Sequence, residues 1–145
     1  NGITRGYIMK TEASPLSDFF GDVIFSYTRT QAIVDGVLIP VSPELCKDAG
    51  VIIPVCVTDT LWNGYIDPVN LSRLPGQSVE GRLWDLLWMF RTAIQAGNGD
   101  VNRIRYDVQF LMKPAAEPER VTLIAVCGPG DQGEPVITIM LPGDD

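Results

Sequence analysis

Residues 79–97 read VEGRLWDLLWMFRTAIQAG and hold two of the three tryptophans in the chain. At about 100° per residue, Leu83, Leu86, Leu87, Phe90, Ala93 and Ile94 fall on one broad face, as in an amphipathic helix. Gly97, followed by Asn98, Gly99 and Asp100, supplies the stop, because glycine enters the left-handed cap conformation without a Cβ clash. Ser78, ahead of Glu80 and Gly81, supplies a start. Opposite the apolar stripe stand Trp84 and Trp88, flanked by Asp85, Arg91 and Thr92. A surface helix puts polar residues on that side, so two tryptophans there leave two readings. Either the remainder of the chain covers this side, or another molecule does.

The chain around this helix has 145 residues, enough for one domain with a core of its own. Hydrophobic residues make up 46% and charged residues 20%, a balance that excludes a largely disordered chain. The apolar runs fall far short of the ~20 residues that a membrane-spanning helix needs. No segment follows the charged, apolar, small-residue order of a secretion signal, so the expectation is a cytoplasmic protein away from the membrane. Cys46, Cys56 and Cys127 are odd in number, lack paired metal-ligand spacing and read as reduced, buried thiols.

Histidine is absent, which removes Ser-His-Asp and Cys-His catalysis, an imidazole base and any His-ligated metal. No cofactor is expected, and carboxylate-only chemistry is the remaining route to a magnesium or calcium site. A net charge of −7 argues against direct nucleic-acid binding, which needs basic surface to displace counterions. An acidic DNA mimic, the inhibitor of a host nuclease, wants carboxylates in dense rows. Here the acids are scattered, with Asp144-Asp145 the only adjacent pair, and solubility explains them more simply.

Taken in order, the chain starts with an arm over residues 1–18, in which Met9 reads as a possible native start, and continues as a single domain over residues 19–145. Thr28 caps a short helix ended by Asp35-Gly36, and Val37 to Val41 is an extended segment whose Pro40 suits an edge. Ser42-Pro43 opens a second short helix, residues 51–57 are apolar and β-branched around Pro54, and Thr58-Asp59 caps a third helix. Residues 67–77 read as a loop. Beyond the main helix, residues 103–113 alternate apolar and polar, the clearest strand in the sequence. Residues 121–126 and 136–141 add two more strands through short connections. The expected fold is α+β: several short N-terminal helices, one long central helix at about 79–96, and a C-terminal three-stranded antiparallel meander.

Three groups of residues invite a chemical reading. Trp84, Trp88 and Arg91 form an aromatic and cationic side typical of interface anchors. The loop around Asp131 and Glu134 has three glycines that allow close approach of a ligand, but it lacks the Lys-Ser/Thr pair of a phosphate loop, and a wide hairpin turn explains it as well. Arg103 and Arg105 share the polar face of their strand, where they would hold an anion or simply face solvent beside Asp107 or Glu119. Arg82 belongs with them by position in the sequence.

The segments FGDVIFSYTRTQAIVDGVLIPVS, GRLWDLLWMFR and GPGDQGEPVITIMLPGDD resemble a family of short uncharacterised bacterial proteins often labelled plasmid-related. The resemblance runs from about residue 20 to residue 145 and is weaker over residues 51–77. It implies a bacterial or phage origin, an accessory role tied to mobile DNA and a cytoplasmic location, and it brings no catalytic residues. The leading expectation is a non-enzymatic interaction domain, a homo-oligomer or the binder of a protein partner, anchored by the tryptophan side. The alternatives are a small enzyme or a ligand- or metal-binding protein built on Asp131, Glu134, Arg103 and Arg105, and the acidic DNA mimic.

Overall fold

Capping chemistry sets most helix starts, and it does so at the serines and threonines that the sequence offers. The computed structural model describes residues 27–97 and 102–144. The arm over residues 1–18, the Met9 start and the stop at residues 98–100 lie outside those residues. The chain divides into two units, Asn1–Asp35 and Gly36–Asp145. Within the first, α1 (Arg29–Val34) begins where the Thr28 hydroxyl accepts the Gln31 amide at 3.0 Å.

In the second unit, β1 (Leu38–Pro40) leads to α2 (Pro43–Asp48), which Ser42 caps and Pro43 opens. β2 (Val55–Thr58) runs directly into α3 (Asp59–Leu61), and a π-helical turn, Trp62–Ile66, continues it. α4 (Val79–Gln95) starts at Ser78, whose hydroxyl accepts the Gly81 amide at 3.0 Å. It ends at Gly97, which takes a φ of +74° that any side chain would resist. β3 (Arg103–Phe110), β4 (Glu119–Pro129) and β5 (Pro135–Met140) follow.

The strands form one five-stranded sheet in the order β1-β2-β5-β4-β3. β1 pairs antiparallel with β2, β2 pairs parallel with β5, and β5, β4 and β3 pair antiparallel in turn. Register brings Ile39, Val57, Ile139, Ala125 and Ile104 into one row across the sheet. Their face meets the stripe of Leu83, Leu86, Leu87, Phe90 and Ala93 from α4 in a common core. Each such aliphatic side chain taken fully from water contributes about 2 kcal/mol. Tyr106 fixes the helix on the sheet: its hydroxyl donates to the Leu86 carbonyl at 3.1 Å and its ring lies 5.9 Å from that of Phe90.

This architecture corrects the expected one in two respects. The C-terminal strands are not a separate three-stranded meander, because β5 also pairs with β2, some eighty residues earlier in register, and β1 extends the sheet further. Periodicity reports which face a strand buries, but it carries no information on pairing across such a separation. All four residues of β2 are buried, so its sequence shows no alternation that would mark it as a strand. Nor is the long helix central. α4 covers one face of the five-stranded sheet, and Trp88 on the side of the helix away from it remains 44% exposed.

Pro40 sits on the edge strand and Pro54 just before β2, where its carbonyl still accepts the Ile137 amide at 2.9 Å. Both positions tolerate a residue without an N–H.

Candidate functional site

Residues four apart on a helix lie one turn above each other, and α4 uses this on its solvent side. The Trp84 and Trp88 rings stack with centroids 6.0 Å apart and planes 10° from parallel. Arg91, almost a turn further on, lays its guanidinium over the Trp88 ring, 5.3 Å from the centroid. Such a contact at a surface is worth about 0.5–1 kcal/mol.

The loop after α2 closes the other side of Arg91. Gly50 has a φ of +87°, and a Cβ there would stand 3.0 Å from Arg91 Nε. Glycine therefore lets the guanidinium lie flat between backbone and indole. Trp84 is half-buried against the core and Trp88 is exposed, as are Met89 at 39% and Ile52 at 89%. The result is a plate: one rooted indole, one open indole and a braced cation. Of the sequence candidates, the structure brings Trp84, Trp88 and Arg91 together.

It does not bring the loop group together. The β4–β5 connection is a hairpin turn in which Gly130 N–H donates to the Glu134 carbonyl and Gly133 N–H to the Gly130 carbonyl, with Gly133 at a φ of +81°. The Glu134 carboxylate folds back over Gly130 and accepts the Gln132 amide at 2.9 Å, so its first role is to hold its own turn. Arg103 and Arg105 stand opposite Val126 and Ile124 in β4. That leaves them three and five residues before Pro129, roughly 10 and 17 Å along the strand from the turn that carries Asp131 and Glu134. Among the described residues no group of three or more His, Cys, Asp or Glu is placed to hold a metal ion.

Arg82 is separate from those surface arginines. It is 2% exposed, its Nη1 donates to the Tyr65 carbonyl at 2.6 Å, its Nη2 donates to the Leu111 carbonyl, and its guanidinium lies 5.4 Å from the Phe110 ring centroid. Burial lowers its pKa from the ordinary value, and the Asp85 carboxylate offsets part of that. It ties the π-helical turn to the end of β3. The signal was present in the sequence, since position 82 is one turn before Leu86 in the apolar stripe.

A second polar cluster has no local signal in the sequence. Asp144 Oδ2 accepts hydrogen bonds from the Thr58 and Thr60 hydroxyls at 2.8 and 2.6 Å and from the Leu141 amide at 3.0 Å. It fastens the segment after β5 to the start of α3. No disulfide joins the three cysteines, and burial pushes Cys46 up from its ordinary range, away from the reactive thiolate.

No helix among the described residues is long and apolar enough to cross a membrane. Compared with known proteins, residues 16–145 match the profile of a family of unknown function (DUF6573). No curated protein and no solved structure matches the chain.

Proposed function

We propose that this chain, which belongs to the family of unknown function DUF6573, is a non-enzymatic interaction domain that self-associates through the outer side of α4. The observation that carries the reading is the plate of Trp84, Trp88 and Arg91, with an open indole at its centre and a cation already ordered beside it. Tryptophan and arginine are the residue types that dominate binding energy at protein interfaces, and a braced side chain loses little entropy when it is covered. A plate of this kind recognises a surface and breaks no bond. The absence of histidine and the turn-bound Glu134 fit the same reading.

The resemblance to short plasmid-related bacterial proteins supports placing this role in the cytoplasm of a bacterium, as an accessory to a mobile element or phage. Light scattering on the wild type and on Trp88→Glu at equal concentration tests the domain's role. The wild type should have the higher mass, and equal masses would remove the reading.

A further inference from the structure

The flank of α4 that faces β3 loses side-chain bulk toward the end of the helix. Leu86, Leu87 and Phe90 pack into the core over the sheet, whereas the later turns bring Ala93 and Ala96. β3 runs back along the helix, because Tyr106 donates to the Leu86 carbonyl and Arg82 reaches the Leu111 carbonyl. Its first half therefore lies beside the two alanines, and an open cleft of about 520 Å³ is left between helix and strand. Every residue that walls this cleft is described. The volume lies within the ~300–1,000 Å³ of small-molecule sites.

One wall is apolar: Met89, Ala93, Ala96 and the ring of Tyr106. The polar groups of the other wall are mostly spoken for. The Thr92 hydroxyl donates to the Trp88 carbonyl at 2.9 Å, and the Tyr106 hydroxyl to the Leu86 carbonyl at 3.1 Å. The Thr122 hydroxyl donates to Asp107 Oδ1 at 2.8 Å, and Asp107 Oδ2 stands 3.9 Å from Arg120 Nη1. Arg105 differs. It lines the cleft, and its side chain has no hydrogen bond or ion pair among the described residues. A guanidinium has donors to give and no acceptor, so what the cleft lacks is an anion.

We propose that this cleft binds a small organic carboxylate, its charged head on Arg105 and its apolar body over Met89, Ala93 and Ala96. A guanidinium takes a carboxylate through two parallel hydrogen bonds, a match that an amide or an amine does not offer. The apolar wall gains only from a ligand with a body to cover it, which a bare inorganic anion lacks. The last turn of α4 does not compete for the guanidinium with its Thr92 and Ile94 carbonyls, which accept the Ala96 and Gly97 amides. The site is separate from the tryptophan plate, since Met89 points about 100° round the helix from Trp88. It therefore goes beyond the self-association reading and does not depend on it.

The test is an NMR titration of the full chain with phenylacetate, following the methyl signals of Met89, Ala93 and Ala96. These signals should move together, with a dissociation constant on the order of 5 mM, as about ten non-hydrogen atoms allow. Phenylacetamide, the same body without the charge, and inorganic phosphate, a charge without the body, should each bind several-fold more weakly. Arg105→Gln should weaken phenylacetate about fivefold, to the level of the amide. Ala96→Phe should abolish binding by filling the cleft while Arg105 stays in place. Both positions are exposed, and thermal unfolding checks that each variant is folded. No movement of the three methyl signals, equal binding of acid and amide, phosphate binding as well as phenylacetate, or full affinity in folded Arg105→Gln or Ala96→Phe would each overturn the site.

Discussion

α4 carries two arginines over aromatic rings, one on each side of the helix. Arg82 lies 5.4 Å from the Phe110 centroid inside the unit, and Arg91 lies 5.3 Å from the Trp88 centroid at its surface. The contact is nearly the same, yet the consequences differ. Arg82 is cut off from water, so every donor without a partner has a cost, and two backbone carbonyls depend on it. Arg91 keeps solvent on one side, so its loss changes the surface more than the fold. The distance between cation and ring does not separate an internal tie from a recognition surface. Desolvation does.

The largest effect should come from the inner side. Arg82→Ala leaves the Tyr65 and Leu111 carbonyls unsatisfied and opens a cavity, and should cost about 3 kcal/mol in a urea titration. A loss as small as that of a surface residue would mean that Arg82 holds nothing together.

Tyr106→Phe removes the hydrogen bond to Leu86 and should cost about 1.5 kcal/mol at neutral pH. Complete burial holds the Tyr106 phenol well above its ordinary range. Its contribution is therefore fully present below about pH 10, the unfolded value, and above it the unfolded chain releases a proton that the folded chain retains. Stability of the wild type should fall as pH rises through and beyond about pH 10, up to the raised folded pKa, and Tyr106→Phe should flatten that alkaline limb. Parallel limbs in the two proteins would count against the burial of this phenol.

On the outer side the effects shrink. Gly50→Ala puts a Cβ 3.0 Å from Arg91 Nε at a φ of +87°, and should cost about 1 kcal/mol while shifting tryptophan fluorescence as the cation leaves Trp88. Unchanged fluorescence would show that the brace is not needed. Arg91→Ala should cost only about 0.5 kcal/mol of stability, with its main effect on oligomer mass. A larger loss of stability than from Arg82→Ala would invert the comparison between the two sides.

The plate was the most legible part of the site, because helical spacing alone puts Trp84, Trp88 and Arg91 on one side. Its brace was not, since nothing local connects Gly50 with Arg91 across forty residues. Glu134 was legible as a loop carboxylate, but its use within the turn depends on a backbone fold that puts it over Gly130. Arg82 stands with Arg103 and Arg105 by position; its place one turn before Leu86 in the apolar stripe is the local sign of enclosure, while its partners at Tyr65 and Leu111 come only from packing. The Thr58, Thr60 and Asp144 cluster joins residues 86 and 84 positions apart, and no spacing rule reaches that far.

The sequence by itself determined the local elements: the caps at Thr28, Ser42, Thr58 and Ser78, the stop at Gly97, the alternation of β3, and the absence of imidazole chemistry. These depend on neighbouring residues, whose geometry is set by covalent connection and a few dihedral angles. Tertiary structure alone decided that β1 and β2 join the C-terminal strands and that α4 packs against one face of the resulting five-stranded sheet. Strand pairing satisfies backbone groups that are alike in every residue, so its partners are selected by whole-chain packing and leave little trace in the local sequence.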